Sequence, residues 1–218
     1  MNSHLFIVYK LPILWWYPYP KSAVATDAPS RHRGGVAIFY RSEPHFAVKA
    51  VEKFCPNVIG FQLATGDLRW YIVGVYLSPN DTATMERVIE AIRSQPRGAE
   101  LLVAGDFNVN LATPEGDRRA EDIATTLATE GLEDMAKHFL PRESRWCWDW
   151  RMWGMLRKGR EVQSQTDYIL GTDNCLFRNV AVRDPRHNSD HYMVLGCLTS
   201  APLRRSTRDT WEGGNGGR

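Results

Sequence analysis

The stretch Leu101-Leu102-Val103-Ala104-Gly105-Asp106-Phe107-Asn108 joins an apolar, strand-like run to an acidic loop. Two later stretches share this design: Asp167 leads into Tyr168-Ile169-Leu170, and Asp190-His191 opens Tyr192-Met193-Val194-Leu195. A carboxylate buried where a strand meets a loop is costly unless it is paired or bound to a metal. A single such Asp is ordinary in a turn or helix cap, but three strand-end motifs, one with an Asn and one with a His, indicate a shared site.

The residue types in these motifs predict metal-assisted hydrolysis of a phosphoester. A phosphodiester resists attack until its negative charge is offset and a water molecule is deprotonated beside it, and Mg²⁺ prefers carboxylate and phosphate oxygens. Asp106 is predicted to accept a proton from the attacking water, and the Asn108 amide to hold that carboxylate or a phosphate oxygen. His191 can donate to a phosphate oxygen if Asp167 orients its ring, and Asp190 is then the natural metal ligand.

These motifs resemble those of the endonuclease/exonuclease/phosphatase superfamily, which includes deoxyribonuclease I and the apurinic/apyrimidinic endonucleases. They are most similar to the endonuclease domains of LINE-type, non-LTR retrotransposons. The resemblance covers roughly residues 25–198, and the order of its motifs is specific. Five stretches carry it: Arg33-Gly34-Gly35-Val36-Ala37-Ile38-Phe39, Tyr71-Ile72-Val73-Gly74-Val75-Tyr76-Leu77-Ser78-Pro79, Gly105-Asp106-Phe107-Asn108, Thr166-Asp167-Tyr168-Ile169-Leu170 and Asn188-Ser189-Asp190-His191.

The resemblance implies an α/β (α+β) fold of the deoxyribonuclease I type, a four-layered sandwich of two mainly antiparallel sheets flanked by helices. It implies one catalytic domain over residues 25–199, preceded by an atypical segment over residues 1–24. The Gly-rich residues 200–218 are predicted to be a disordered tail. Position by position, the resemblance makes Tyr76 a contact to the scissile phosphate and makes Asp106 with Asn108 the group that positions the nucleophilic water. It pairs Asp167 with His191, and His191 contacts the phosphate in the transition state. Without the resemblance, Tyr76 is better interpreted as a core aromatic on a strand.

One departure from the family concerns the metal. The resemblance implies Mg²⁺, with Mn²⁺ as an alternative, held by Asp190 and Asp106. Family members begin with a strand that carries an Asn. A helix follows, and then a second strand that ends in a Glu, which is a principal metal ligand. Neither strand is recognisable before Gly34-Gly35, and both Glu43 and Glu52 lie in the wrong place. We therefore expect the domain to lack its first strands and to bind Mg²⁺ weakly, as an N-terminally truncated copy of a retroelement reading frame would.

The composition fits one globular domain: 218 residues, of which 43% are hydrophobic and 24% charged. A formal net charge of +2 permits contact with nucleic acid without requiring it. The four cysteines show no CxxC spacing, which argues against structural zinc and fits an intracellular protein, nuclear or cytoplasmic. Lys10 and Pro12 interrupt the apolar N-terminal stretch, so we expect no membrane span.

Hydrophobic periodicity predicts the remaining elements. Strands over residues 36–40, 46–51, 58–63 and 69–77 are expected in one antiparallel sheet, and strands over residues 167–170, 177–183 and 192–198 are expected to complete a second. Helices are expected from residue 81 to just before Pro96 and over residues 118–129, the second with Ile123 and Leu127 inward and Gly131 after its end.

Three functions stay open at this point. The first is a Mg²⁺-dependent endonuclease that nicks DNA, with no obligatory protein partner and room for a reverse transcriptase domain in the full-length element. The second is a phosphatase or phosphodiesterase that acts on a small phosphate ester, and the third is a non-catalytic retroelement remnant. Four tryptophans interleaved with basic residues either stack on bases or pack over the sheet: Trp146, Trp148, Trp150 and Trp153.

Overall fold

The computed structural model describes residues 4–5, 9–10, 22–25, 36–40, 46–65, 68–79, 83–145, 148–149, 163–173, 176–183 and 191–198. Its strands in chain order are β1 (His4–Leu5), β2 (Tyr9–Lys10), β3 (Ser22–Ala25), β4 (Val36–Tyr40), β5 (Phe46–Cys55), β6 (Val58–Thr65), β7 (Leu68–Tyr76), β8 (Glu100–Asp106), β9 (Glu133–Asp134), β10 (Trp148–Asp149), β11 (Gln163–Ser164), β12 (Asp167–Gly171), β13 (Phe177–Arg183) and β14 (Met193–Leu198). The helices are α1 (Ala83–Arg93), α2 (Arg118–Thr129) and α3 (Ala136–Phe139), followed by a 3₁₀ turn at Arg142–Ser144.

A six-stranded sheet with the order β5-β6-β7-β8-β12-β9 holds most of the buried strands. Neighbouring strands in this sheet are antiparallel, except for β7 and β8. These two strands are parallel, and the crossover that joins them contains α1. Parallel neighbours need such a crossover because both strands must run in the same direction. The carboxyl ends of β7 and β8 therefore meet at one edge of the sheet.

Two of the predicted sheet assignments are wrong. β4 pairs with β2 and β3 instead of joining β5, β6 and β7. β12 pairs with β8 in the six-stranded sheet, whereas the prediction placed it in the second sheet with β13 and β14. Alternating apolar residues identify a strand but not its partner, because pairing depends on contacts between residues far apart in the chain. The element bounds themselves agree well, and β4, β13 and α2 have the predicted limits.

The central strands β6, β7, β8 and β12 of the six-stranded sheet are largely buried on both faces. Alternate residues of its strands face two separate hydrophobic clusters, as the two-residue period of a strand requires. One face packs against α1 and α2, with Val88 and Ile92 of the first helix and the predicted Ile123 and Leu127 of the second. The opposite face packs against β4, which belongs to the sheet β2-β4-β3, and against β13 and β14 of the sheet β1-β14-β13. Sheets therefore lie face to face across this cluster, as predicted.

The N-terminal segment contributes strands to two smaller sheets. β1 pairs antiparallel with β14, which also pairs with β13, and β2 and β3 flank β4 on either side. These pairings involve only a few residues each, which explains why the sequence pattern did not reveal them. Segments 146–147, 150–162 and 199–218 lie outside the described residues, and these include three of the four clustered tryptophans and the predicted tail. None of the described helices is long and apolar enough to cross a membrane.

Candidate active site

Strand register brings three predicted site residues into one row. Tyr76 ends β7 directly beside Asp106, the last residue of β8, and Asp106 lies opposite Asp167, the first residue of β12. Side chains two or four residues apart on a strand share a face, so Asp106 faces the same side as Leu102 and Asp167 the same side as Ile169. Both of those residues belong to the cluster between the six-stranded sheet and the facing strands β4, β13 and β14. The row therefore lies at the edge of the space that separates the sheets.

Gly105 explains why a glycine precedes the acidic residue. A Cβ atom at this position would lie 1.8 Å from the Val75 carbonyl oxygen on the parallel neighbour strand. The backbone φ of Gly105 is also +148°, which residues with a Cβ rarely adopt. Glycine thus permits the close approach of β7 and β8 immediately before Asp106.

Asp106 is held in place by Asn108. Asp106 is only 4% exposed, and its Oδ1 accepts a hydrogen bond from the Asn108 backbone N–H at 2.8 Å. Its Oδ2 accepts a second bond from Asn108 Nδ2 at 3.1 Å, and the same amide nitrogen donates to the Leu77 carbonyl at 2.9 Å. Of the two partners expected for the Asn108 amide, the structure shows the carboxylate. These bonds fix the orientation of Asp106 and tie the loop after β8 to the loop after β7.

His191 and Asp167 form a close pair across the two sheets. His191 Nδ1 and Asp167 Oδ2 are 2.7 Å apart, and the side chains are 15% and 19% exposed. The Thr166 hydroxyl also donates to Asp167 Oδ2, at 3.1 Å. Asp167 begins β12 of the six-stranded sheet, while His191 lies just before β14 of the sheet β1-β14-β13. The predicted partnership is present, and it fixes the orientation of the imidazole ring.

The donor set suits a divalent cation. Asp106, Asp167 and His191 each offer one ligand atom, and these atoms lie within 4.8 Å of one another. Two carboxylates this close repel each other unless a cation or proton offsets their charge. Carboxylate oxygens are the ligands that Mg²⁺ and Mn²⁺ prefer. Asp190, the other predicted metal ligand, lies outside the described residues, as does Glu43.

Two other predicted residues have clear positions. Tyr76 is 9% exposed and belongs to the cluster between the sheets, so it packs in the core and also borders Asp106. Glu52 Oε2 accepts a hydrogen bond from the Tyr71 hydroxyl at 3.0 Å. Tyr71 faces the helix-covered side of the sheet, opposite the site. Glu52 is therefore not placed to join the acidic cluster, as predicted.

Tyr168 supports the site although sequence reasoning assigned it only to a strand. Its hydroxyl donates to the Gln165 carbonyl at 2.7 Å and accepts from the Leu111 backbone N–H at 2.7 Å. Its ring meets Phe107 edge-on, with centroids 5.8 Å apart and planes at 86°. Phe107, which follows Asp106, and Tyr168, which follows Asp167, thus anchor the loops around the site.

Comparison with known proteins agrees with this geometry. The profile of the Endonuclease/Exonuclease/phosphatase family matches residues 3–191, which is most of the chain. The chain belongs to this family. The match includes the N-terminal segment, which we had set apart as atypical. A search among curated proteins by sequence finds no match.

Several solved structures share the fold at low identity. The endonuclease domain of TRAS1, a telomere-specific non-LTR retrotransposon, is 19% identical with a TM-score of 0.64, over 81% of this chain and 79% of that one. The 3′ phosphatase NExo from Neisseria, bound to a product DNA hairpin, is 19% identical with a TM-score of 0.60, over 82% and 79%. An AP endonuclease from Archaeoglobus fulgidus is 17% identical with a TM-score of 0.57, over 81% and 78%. The predicted deoxyribonuclease I-like fold is confirmed.

Proposed function

We propose that this family member is a metal-dependent phosphodiester hydrolase, an endonuclease of the retrotransposon type that nicks DNA. One observation carries the proposal: Asp106, oriented by Asn108, lies in register with Asp167, which in turn holds His191 at 2.7 Å. The proposal assigns the general-base role to the buried Asp106, which lies close to the oriented imidazole of His191.

Each side chain has a proposed role in the hydrolysis. Asp106 accepts the proton of the attacking water, and Asn108 keeps the carboxylate turned toward that water. Asp167 orients His191 through Nδ1, and the other ring N–H of His191 donates a hydrogen bond to a phosphate oxygen as charge develops there. Tyr76 contacts the scissile phosphate from the end of β7.

Asp106 and Asp190 are the proposed ligands of Mg²⁺ or Mn²⁺. A divalent cation bound there would offset the charge of the phosphate and of the neighbouring carboxylates. The resemblance implies a Glu as a principal metal ligand, and Glu52 does not replace it because it lies with Tyr71 on the opposite face of the sheet. We therefore expect weak metal binding and slow turnover.

DNA is the proposed substrate because three of the structurally similar proteins are DNA-processing enzymes by description: the TRAS1 endonuclease domain, the Neisseria 3′ phosphatase bound to a DNA hairpin, and a Danio rerio TDP2 complexed with a single-stranded DNA product. The basic residues Arg157, Lys158 and Arg160 are the proposed contacts to DNA phosphates, and they lie outside the described residues.

Nicking of supercoiled plasmid tests the proposal. The wild-type chain should relax the plasmid in Mg²⁺ and stop in EDTA, and Asp106→Asn should abolish the nicking. Asp122→Asn is the matched control, because it makes the same change of charge at a largely exposed residue of α2. Hydrolysis of p-nitrophenyl phosphate without any nicking would favour the small-ester hydrolase. Failure of both reactions in the wild-type chain would favour the non-catalytic remnant.

A further inference from the structure

Arg119, in the first turn of α2, reaches back to both loops that carry the site. Its Nη2 donates to the Ser78 carbonyl at 3.0 Å, and its Nη1 donates to the Asn108 carbonyl at 3.4 Å. Ser78 belongs to the loop after β7, and Asn108 belongs to the loop after β8. The planar guanidinium fork suits two acceptors that are fixed relative to each other.

The two loops are already in contact at the row of site residues. The Leu77 backbone N–H donates to the Asp106 carbonyl at 2.8 Å, and Asn108 Nδ2 returns a bond to the Leu77 carbonyl at 2.9 Å. Arg119 adds a further connection between the loops, because its two hydrogen bonds join the Ser78 carbonyl to the Asn108 carbonyl. The separation between Tyr76 and Asp106 thus depends on a short network that ends at Arg119.

Two locally unfavourable features meet at this link. A positive charge in the first turn of a helix opposes the helix dipole, which favours acidic residues there. Asn108 has a φ of +50° and is the only non-glycine with positive φ among the residues that the structure describes. Backbone strain of this kind persists where the surrounding contacts hold it, and it is common at active sites. The Asn108 carbonyl, one of the two acceptors of Arg119, belongs to this strained residue.

We propose that Arg119 is a positioning residue for the reaction: it holds the loop after β7 against the loop after β8 and so keeps Asn108 and the Asp106 carboxylate in register with Tyr76. The kinetic part of this inference rests on the proposed function, whereas the structural part does not. Both terminal nitrogens of Arg119 donate to backbone carbonyls, and these two bonds carry the proposed role of holding the loops.

Arg118 provides a matched control one residue away. It belongs to the same helical turn and carries the same charge, but its side chain is 94% exposed and its Nε lies 3.9 Å from Asp122. Arg119→Gln and Arg118→Gln therefore remove equal charge from the same helix end. Arg119→Lys keeps the charge but loses the fork, because an ammonium group acts as a single point charge.

Amide hydrogen exchange and single-turnover nicking read out the two parts separately. In Arg119→Gln, the Leu77 and Asn108 amides, which both donate to Asp106, should exchange at least about tenfold faster than in Arg118→Gln. The cleavage rate at saturating DNA should fall by about 10- to 100-fold, with little change in KM, because a shift of about 1 Å is enough to misalign reacting groups. Arg119→Lys should lie between the two.

Several outcomes would overturn the proposal. Equal exchange and equal cleavage rates in Arg119→Gln and Arg118→Gln would do so, and so would a loss confined to KM, which would assign Arg119 to DNA binding. If Arg119→Gln does not fold, Arg119→Lys decides by the same comparison with Arg118→Gln. If the wild-type chain does not nick DNA, the proposed function fails. Faster exchange in Arg119→Gln then still supports the positioning of the loops, and equal exchange overturns it.

Discussion

Replacing Gly105 by alanine should disrupt the sheet at the site itself. The new Cβ would lie 1.8 Å from the Val75 carbonyl oxygen and 2.8 Å from the carbonyl carbon, where real Cβ contacts are essentially never shorter than 3.0 Å. The obstacle is backbone, so no side-chain rotation can relieve it. Strands β7 and β8 must therefore separate locally, immediately beside Asp106.

The cost follows from the contacts that separation would break. Two hydrogen bonds bridge the separating segments. The Leu77 backbone N–H donates to the Asp106 carbonyl at 2.8 Å, and Asn108 Nδ2 donates to the Leu77 carbonyl at 2.9 Å. Each lost bond costs about 1 kcal/mol, and alanine at a φ of +148° adds about 1 kcal/mol or more. We expect Gly105→Ala to lower the free energy of unfolding by about 3 kcal/mol.

Urea denaturation followed by circular dichroism measures this loss. The midpoint should fall by more than about 1 M relative to wild type. Gly171→Ala in β12 is the matched control, because the three atoms nearest to a Cβ there belong to the side chains of Leu102 and Met135, at 3.4–3.5 Å. It should shift the midpoint far less. Equal midpoints for Gly105→Ala and Gly171→Ala would refute the reasoning from close strand approach.

Three further predictions concern stability. Asp117→Ala should cost about 1 kcal/mol of unfolding free energy in urea, because the Asp117 side chain accepts hydrogen bonds from two amides of the first turn of α2. Tyr71→Phe should cost about 1 kcal/mol by the same assay, because it removes the 3.0 Å bond to Glu52. Asp134→Asn should make stability less dependent on pH, because burial raises the pKa of Asp134 despite its 2.9 Å bond from Gln165. The dependence is measured by comparing urea midpoints across the acidic range.

The sign of the Asp134 effect is definite. A carboxyl whose pKa is raised in the folded state binds its proton more tightly there than in the unfolded chain. Its contribution to stability is therefore largest below the ordinary carboxyl pKa and is lost as the pH rises through the raised value. The wild-type chain should lose stability relative to Asp134→Asn as the pH rises from the ordinary carboxyl pKa to the raised pKa of Asp134. A constant difference between the two midpoints, or a wild type that gains on the variant as the pH rises, would contradict the burial effect.

Local sequence patterns predicted much of the fold. The period of apolar residues gave the bounds of β4, β13 and α2, and two of the strand-end motifs identified Asp106 and Asp167, which the sheet register brings together. Tyr76, the third residue of the row, was assigned to the site only by the family resemblance. Sheet partners could not be predicted in the same way. β12 and β4 have the apolar pattern of many buried strands, and their neighbours are decided by packing between distant parts of the chain.

The supporting contacts of the site were also beyond the sequence. Arg119 bonds to Ser78, 41 residues away, and Tyr168 bonds to Leu111, 57 residues away. Such separations leave no local periodicity. One available signal was the pair of basic residues, Arg118 and Arg119, in the first turn of α2, where the helix dipole favours acidic ones. The other was the glycine before Asp106, whose need became clear only when β8 was placed beside β7.

The most direct measurement is a double-mutant cycle on His191 and Asp167, using single-turnover cleavage of an end-labelled DNA duplex in Mg²⁺. Because Asp167 is proposed to act through the 2.7 Å contact to His191, the two losses should not multiply. His191→Ala should lower the rate by about 10³-fold, and adding Asp167→Asn to it should lower the rate little further. Losses that multiply in the double variant, or a His191→Ala chain as fast as wild type, would contradict the proposed hydrolytic site.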